Sequence, residues 1–329
     1  MKPFRYHRIK TLQEASHLTQ EPGAVILAGG TNLIDMMRLE IMNPAAVVDI
    51  QSLPLNQIET LPSGGFRIGS LVRNSDLAFH PSIQKEYPVL SQAILSGASP
   101  QIRNQATVGG NLMQRTRCTY FRDGISPCSK RNPGTGCSAE HGYHRSHAVL
   151  GISDSCSATH PSDMCVALAA LDAQIVLEGK KEKRTVPITE FYLLPQNTPW
   201  KETALEPAEI ITAVDLPELP EGTRTCYLKV RDRSSYEFAL VSAAVVLEFN
   251  QNQIQKARIA LGGIAVKPWR VPEAEKLLHH STPSKKLFQT CAETALKGAK
   301  PKKDNEFKVE LAKRVILHAL SLASKTKKE

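Results

Sequence analysis

The chain has 329 residues, of which 41% are hydrophobic and 22% charged, with a formal net charge of +9. A chain of this length is expected to form two or three domains, and its composition is that of a protein with a globular core. A disordered chain and a small disulfide-stabilised scaffold are therefore excluded. No run of 18 apolar residues is present, so a membrane-spanning helix is excluded. The basic N-terminal segment lacks an apolar core, and we expect no secretory signal in this chain.

The first third of the chain alternates short apolar strands with helical stretches. GAVILAGG predicts a strand that ends in two glycines, TNLIDMMRLE predicts the helix that follows, and AAVVDI and GFRIGSLV predict two further strands. SDLAFHPSIQKEYPVLSQAILSGA has helical periodicity, with Ser75 as the expected N-cap. A polar segment at residues 115–155 interrupts the pattern. SDMCVALAALDAQIVLEG then predicts a helix followed by a strand.

A Pro- and Gly-rich break at residues 217–224 precedes a C-terminal part of different character. EFALVSAAVVLEFNQNQIQKARIALGGI predicts two long strands around an Asn/Gln turn, and VPEAEKLLHH and FKVELAKRVILHALSLA predict amphipathic helices. We therefore expect an α+β protein with a larger domain at 1–220 and a smaller one at 221–329. Lysines concentrate in EGKKEKR, KGAKPKKD and KTKKE, which we expect to be solvated, because no interleaved aromatic residues indicate a nucleic-acid surface.

Two short glycine-containing turns have similar sequences, AGGTNL at 28–33 and TVGGNL at 107–112. Glycines at such turns let backbone N–H groups approach an anion, and the start of a helix adds partial positive charge. Neither turn matches the Rossmann or the P-loop fingerprint. One such turn is compatible with a tight turn that binds nothing. Two of them favour a ligand with two phosphates, and therefore a dinucleotide.

These turns and two later segments resemble the FAD-binding subunits of the molybdenum hydroxylases, the family of xanthine dehydrogenase, carbon monoxide dehydrogenase and aldehyde oxidoreductase. HPSDMCVALAALDA is similar to the family's Ser-Asp segment, and YLKVRDRSSYEFALVS to its Lys-bearing strand. The resemblance covers essentially the whole chain. It implies a p-cresol methylhydroxylase-type FAD-binding domain of two α/β subdomains, followed by an α+β domain like the C-terminal domain of carbon monoxide dehydrogenase flavoprotein.

The resemblance also implies which residues contact FAD. The first phosphate side is assigned to Ile26, Leu27, Ala28, Gly29, Gly30, Thr31, Asn32 and Leu33, and the second to Thr107, Gly110 and Asn111. Asp163 is implied at the ribose or ring edge. Capping of the helix that begins at HPSDM is its other possible role, and both can hold, because the side chain has more than one acceptor site. Lys229 is implied near the flavin, with an exposed strand lysine as the alternative. No Ser/His/Asp or paired-carboxylate constellation suggests catalysis of substrate conversion by this chain.

Four of the seven cysteines lie in or next to the polar segment, as C-x9-C-x8-C-x18-C: Cys118, Cys128, Cys137 and Cys156. The odd count and the missing export signal argue against a disulfide framework. A cubane iron–sulfur cluster needs four thiolates around one centre, and nearby cations (Arg115, Arg117, Lys130 and Arg131) would offset its negative charge. Cys165 is the competing fourth ligand, but it lies within a predicted helix and is expected to pack as a small apolar residue.

Zinc is the alternative metal, and unmetallated thiols are the second alternative. Structural zinc sites usually contain a close C-x2–4-C pair, which this segment lacks, although four histidines lie nearby: His141, His144, His147 and His160. The segment is also an insertion relative to most of the resembled family. A few members, among them periplasmic aldehyde oxidoreductases, carry a [4Fe–4S] cluster in such a loop. We therefore expect FAD and a [4Fe–4S] cluster, the latter in an insertion at about 115–157.

The resemblance implies an electron-transfer subunit of a heterotrimer, with a molybdenum-cofactor large subunit and a [2Fe–2S] small subunit as partners. Electrons would pass from the partner's [2Fe–2S] clusters through FAD to an external acceptor. The alternatives are a stand-alone flavin oxidase of the same fold and a zinc-stabilised assembly subunit without flavin. The likeness to periplasmic enzymes implies a periplasmic location by co-export with a signal-bearing partner, and a cytoplasmic location is the alternative.

Overall fold

The computed structural model describes residues 1–179 and 182–325. The lysine pair at 180–181 and residues 326–329, both in segments predicted to be solvated, lie outside the described residues. The strands are β1 (Arg5–Arg8), β2 (Ala24–Leu27), β3 (Ala46–Asp49), β4 (Ile58–Thr60), β5 (Phe66–Gly69), β6 (Gln174–Glu178), β7 (Lys183–Pro187), β8 (Ile210–Leu216), β9 (Arg224–Val230), β10 (Val241–Asn250), β11 (Gln253–Gly262) and β12 (Trp269–Arg270).

The helices are α1 (Leu12–Leu18), α2 (Leu33–Arg38), α3 (Asn74–Phe79), α4 (Pro81–Glu86), α5 (Pro88–Ser96), α6 (Pro100–Gln105), α7 (Val108–Leu112), α8 (Thr119–Arg122), α9 (Asp163–Ala170), α10 (Ile188–Phe191), α11 (Pro272–Lys276), α12 (Lys285–Ala295) and α13 (Phe307–Ser324). Within the described ranges, no helix has the length and apolar character needed to cross a bilayer.

The N-terminal sheet is small and parallel, with strand order β1-β3-β2. All four residues of β3 are buried, as expected for the central strand of a parallel sheet. Strand β2 leads directly into the first glycine turn. In parallel sheets, ligands bind beside the carboxyl ends of the strands, so this sheet places the turn where a ligand can reach it.

The second sheet is antiparallel, with strand order β4-β5-β8-β6-β7. Helix α9 is buried at every one of its eight residues, because the second sheet's core and a third sheet both pack around it. A helix that is apolar on all sides needs such a position. Its first residue, Asp163, therefore lies deep in the molecule, with 8% of its surface exposed.

The third sheet is antiparallel, with strand order β12-β11-β10-β9, and both of its faces are covered. Along β9, Cys226 and Leu228 pack into the C-terminal core with α12 and α13. Tyr227 belongs instead to the core of the larger domain, next to α5 and α9. Because side chains alternate along a strand, Lys229 faces the same way as Tyr227.

The long helix predicted after GFRIGSLV is three helices, α3, α4 and α5, broken at Pro81 and Pro88. Proline lacks the N–H that a helix interior requires, but it is tolerated at the first helical position, where both of these prolines lie. The prediction of Ser75 as N-cap is wrong. The cap position is Arg73, and Ser75 lies inside α3.

Candidate cofactor site

The first glycine turn requires glycine at two positions. Gly30 has φ +75°, in the left-handed region that other residues rarely adopt. A Cβ on Gly29 would overlap the carbonyl oxygen of Gln105, so the first turn packs directly on the backbone just before the second. The Gln105 side chain donates a hydrogen bond to the carbonyl oxygen of Gly29 over 3.1 Å. The two turns are therefore in contact, although more than seventy residues separate them.

The second glycine turn is stabilised by a hydrogen bond to its own threonine. The Thr107 hydroxyl caps α7 and accepts a hydrogen bond from the Gly110 N–H over 3.2 Å. A Cβ added to Gly109 would lie only 3.0 Å from the Cβ of Ser70. The Gly109 N–H donates to the Ser70 carbonyl. A Cβ on Gly110, in contrast, would meet only the Thr107 hydroxyl within 4 Å. At 3.1 Å this contact is tight, but no other atom lies within 4 Å of the added Cβ, and Gly110 borders both cavities.

Two cavities meet at these turns. The smaller, of about 390 Å³, is lined by both turns, β2 and the start of β8. The larger, of about 860 Å³, extends past Asp163 to the loop after β9. Thr31, Asn32 and Gly110 line both cavities. Volumes of this size suit a ligand larger than a mononucleotide.

Twelve of the thirteen residues predicted to contact FAD line one cavity or the other. The smaller cavity is bordered by Ile26, Ala28, Gly29, Gly30, Thr31, Asn32, Leu33, Thr107 and Gly110. The larger is bordered by Thr31, Asn32, Gly110, Asn111, Asp163 and Lys229. Leu27, which is also among the described residues, borders neither of these two cavities. Their common location supports the predicted set of contacts.

Asp163 and Lys229 form a buried ion pair between the two halves of the molecule. The Lys229 ammonium donates to Asp163 Oδ2 over 2.8 Å and to the Ser96 carbonyl over 3.1 Å, and its side chain is 4% exposed. The Tyr227 hydroxyl donates to Asp163 Oδ1 over 2.6 Å. Burial, followed by the charge of Asp163, raises the pKa of Tyr227 well above its usual value, so this phenol stays protonated.

This arrangement excludes both alternative roles considered for these residues. Ser162, not Asp163, is the N-cap of α9, and its hydroxyl accepts the Cys165 N–H over 3.1 Å. Lys229 is not an exposed strand lysine. Tyr227 is a site residue that the sequence analysis missed, although its alternation with Lys229 along β9 was visible in the sequence.

Lys229→Met is expected to lower the free energy of unfolding by about 3–5 kcal/mol, because it leaves a buried carboxylate without its cation. Urea titration of the full chain measures this change. Lys276→Met is the matched control, since Lys276 pairs with Glu273 at a site where both side chains are mostly exposed, and little change is expected there. Equal losses in the two variants would contradict a stabilising role for the buried pair.

An unsatisfied donor points to a ligand between the turns. Asn32 Oδ1 accepts the Arg115 N–H over 3.0 Å, whereas Asn32 Nδ2 is buried with no hydrogen-bond partner among the described residues. Buried amide donors are rarely left unpaired, so an anionic oxygen at this position would satisfy it. Asn111 Oδ1 likewise accepts a hydrogen bond, from the Ser162 hydroxyl over 2.6 Å.

The larger cavity also contains a cation that the sequence analysis assigned elsewhere. Arg117 was expected to offset the charge of a cluster, but its side chain lines this cavity and lies 5.1 Å from the ring centroid of Phe238. Burial, followed by repulsion from Arg122, lowers the pKa of Arg117 to about 10, so the guanidinium stays charged at neutral pH. Phe238 and the neighbouring Tyr236 gave no sequence signal, because only the fold brings their loop to the cavity.

The four predicted ligand cysteines line one small cavity of about 10 Å³. Cys128 and Cys137 face each other across a tight antiparallel loop, in which Ser129 and Ser138 donate backbone hydrogen bonds to Gly136 and Pro127. None of the four cysteines forms a disulfide. Cys165 lies away from this cavity, fully buried in α9 with its sulfur 3.1 Å from the Tyr192 hydroxyl, as its assignment to the core predicted.

The Ala158 N–H donates to Cys156 Sγ over 3.5 Å. Backbone N–H groups of Phe121 and Tyr120 near Cys118, and of Ala139 and Glu140 near Cys137, lower the pKa of those two thiols against the larger effect of burial. Such donors stabilise a thiolate over a thiol. Burial opposes them and raises the pKa of Cys118 to about 12, so without a metal this thiol is neutral. The set of four sulfurs therefore has the chemistry of a soft-metal site.

The thiols are not arranged around a single ion. In residues 1–179 and 182–325, no group of three or more His, Cys, Asp or Glu side chains has a geometry that holds one metal ion. The cavity between the sulfurs has room for about one water molecule. The four thiols suit a cluster by their chemistry, whereas their present spacing does not enclose one.

Salt bridges connect the cysteine loop to the second glycine turn. The Lys130 ammonium donates to Glu202 over 2.7 Å and to the Pro199 carbonyl over 3.0 Å. Arg115, four residues after Asn111, pairs with the other oxygen of Glu202. Of the four cations predicted to offset cluster charge, Lys130 lies close enough to Cys156 to lower the pKa of that thiol, against the larger effect of burial.

The comparisons with known proteins agree with this geometry. Residues 2–219 match the family described as the FAD binding domain in molybdopterin dehydrogenase, and residues 226–323 match the CO dehydrogenase flavoprotein C-terminal domain. The chain belongs to the FAD-binding subunits of the molybdenum hydroxylase family. These subunits are parts of oxidoreductases, so the predicted family and enzyme class are confirmed.

Individual members of the molybdenum hydroxylase family match along nearly their whole length. The chain is 49% identical to the aldehyde oxidoreductase FAD-binding subunit PaoB of Escherichia coli K12, covering 98% of this chain and 99% of that one. It is 27% identical to the carbon monoxide dehydrogenase medium chain of Hydrogenophaga pseudoflava, over 97% and 96% of the two chains. A solved carbon monoxide dehydrogenase from the same organism superposes with a TM-score of 0.77, covering 98% of each chain. The predicted α+β fold is therefore confirmed.

Proposed function

We propose that this chain is the FAD-binding electron-transfer subunit of a heteromeric, molybdenum-dependent aldehyde oxidoreductase. The observation that carries the proposal is the meeting of two glycine turns at the junction of two cavities, beside the buried pair of Asp163 and Lys229. The 49% identity to an aldehyde oxidoreductase subunit supports the aldehyde class. When bound, FAD supplies the redox chemistry, accepting electrons from the partner's [2Fe–2S] clusters and passing them to an external acceptor.

Different residues of the two cavities would bind the diphosphate, the adenine end and the flavin end of FAD. Thr31, Asn32 and Gly110, at the cavity junction, would hold the diphosphate, and the unpaired Asn32 Nδ2 is a donor available to it. The smaller cavity, lined by apolar residues of β2 and β8, suits the adenine end. The larger cavity would take the flavin end, where Asp163 contacts the ribose or ring edge and Lys229 lies near the ring.

We further propose that Cys118, Cys128, Cys137 and Cys156 hold a [4Fe–4S] cluster. Support comes from the all-sulfur donor set in one cavity, from the Ala158 N–H that donates to Cys156, and from backbone N–H groups that lower the pKa of Cys118 and Cys137. Because ligation needs thiolates, assembly would release protons from these buried thiols. Cys118 is flanked by Arg117 and Thr119, which both line the larger cavity, so the cluster would lie next to the flavin site.

The remaining proposals concern organisation and partners. The FAD-binding domain would extend over 1–220, with the cluster-bearing insertion at about 115–157, and the flavoprotein C-terminal domain over 221–329. The break at 217–224 leads from the second sheet into the third, which supports this division. Relatives are medium chains of multi-subunit enzymes, and we propose a molybdenum large subunit and a [2Fe–2S] small subunit as partners. A periplasmic location would follow from co-export with a signal-bearing partner.

Anaerobic reduction of the assembled complex tests the function. The chain is purified with its co-expressed partners, and an aldehyde is added without an external acceptor. We expect flavin absorbance to bleach in the complex and to stay unchanged in the isolated chain. Bleaching in the isolated chain would contradict the proposal in favour of a stand-alone oxidase. A colourless chain that contains zinc would contradict it in favour of an assembly subunit.

A further inference from the structure

His147 lies beside one of the four clustered sulfurs but is not one of the four predicted cluster ligands. Its Nε2 is 3.2 Å from Cys118 Sγ, and only 1% of the residue is exposed. The imidazole also stacks on the Tyr120 ring, with centroids 6.0 Å apart and an angle of 27° between the planes. Among the described residues, it is the only side chain within hydrogen-bond distance of any of the four sulfurs.

The hydrogen-bond pattern around His147 favours a proton on Nε2. Nδ1 is buried with no partner among the described residues. A proton on Nδ1 would leave a buried N–H donor unsatisfied, whereas a proton on Nε2 leaves only a lone pair without a partner. The N–H of Nε2 is then directed at Cys118 Sγ.

We propose that His147 is a positioning residue that donates an N–H···S hydrogen bond to Cys118 and thereby raises the reduction potential of the [4Fe–4S] cluster. This inference rests on the proposed cluster. A hydrogen bond to a ligand sulfur withdraws electron density from it and stabilises the more negative, reduced cluster over the oxidised one. The same bond fixes the Cys118 side chain.

The C-terminal domain sets the position of His147. The Lys308 ammonium, in α13, donates to the His147 carbonyl over 3.0 Å and to the Gly263 carbonyl over 2.8 Å. Asn305 Nδ2 donates to the His147 carbonyl over 3.3 Å. Lys308 and Asn305 are both fully buried. They anchor the backbone of the cysteine insertion from the opposite domain, so the imidazole is held in place at Cys118 and its N–H···S geometry is preorganised.

The test is a redox titration of the purified complex, followed by EPR of the reduced cluster, with His147→Phe and His147→Gln. Phe keeps a ring that stacks on Tyr120 but removes the N–H. We expect the reduction potential of the cluster to become about 59 mV more negative, which is a roughly tenfold shift toward the oxidised form for a one-electron couple. Gln restores an N–H donor near the position of Nε2, and we expect a potential close to that of the wild type. His141→Phe is the matched control, because His141 lies in the same insertion but is exposed.

Iron content is measured first, and it separates the possible failures. Absence of iron from the wild type would overturn the cluster itself. A wild type with a full cluster and an unchanged potential in His147→Phe would overturn only the role of His147. If His147→Phe does not retain iron, pulsed EPR of the wild type with ¹⁵N-labelled histidine decides. A histidine nitrogen coupled to the reduced cluster supports the hydrogen bond, and its absence overturns it.

Discussion

Gly110→Val is expected to leave the chain folded and to remove most of its FAD. Gly110 lines both cavities at their junction, and an added Cβ there would meet only the Thr107 hydroxyl within 4 Å. The branched side chain would therefore occupy the space proposed for the diphosphate without displacing backbone. We expect the affinity for FAD to fall by at least ~100-fold, or ~2.7 kcal/mol. Flavin content per chain after gel filtration, and titration of the apoprotein with FAD, measure this effect.

Gly179→Val is the matched control for this variant. Gly179 also lacks a positive φ, it lines neither cavity, and a Cβ there would make only ordinary contacts, at 3.5 Å and beyond. Its FAD content should match that of the wild type. Normal FAD binding by Gly110→Val would show that the diphosphate lies elsewhere. Loss of both FAD and thermal stability in Gly110→Val alone would point to the fold, and Asn32→Ala, which removes the unpaired donor, would then decide.

Much of the fold could be predicted from the sequence because the strands are short apolar runs bounded by turn residues. β2 ends at the glycines of the first turn, and β10 and β11 flank the predicted Asn/Gln turn. The helix break at Pro81 and Pro88 was missed because the apolar periodicity continues across both prolines. The two faces of strand β9 pack into two different cores. The sequence alone did not predict this, because it depends on the third sheet lying between helices of both domains.

The glycine turns and the cysteine spacing are local patterns, and both were recognised from the sequence. The contacts that complete the site are not local. Asp163 meets Lys229 across 66 residues, and Cys118 meets His147 across 29. No spacing rule predicts such pairs, since loop closure and strand register determine them. His147 was grouped with three other histidines of the region, and only the fold separates it from the exposed His141.

The largest expected effect on metal content comes from Cys128→Ser. Cys128 is 7% exposed, faces Cys137 across the loop and lines the cavity of the four sulfurs. A serine oxygen is a harder and less suitable ligand for cluster iron than a thiolate. We expect iron to fall from about four atoms per chain to less than one, and the EPR signal of the cluster to disappear. FAD content should stay normal, because Cys128 lines neither of the two FAD cavities.

Cys226→Ser provides the control, since Cys226 is 8% exposed in β9 and packs into the C-terminal core away from the insertion. The same chemical change there should leave iron unaffected. Normal iron in Cys128→Ser, or zinc in place of iron in the wild type, would rule out the proposed cluster. If FAD is lost together with iron, the cluster also supports the flavin site mechanically. The link from Lys130 through Glu202 to Arg115 supplies a physical route for that coupling, because it ties the cysteine loop to the second glycine turn.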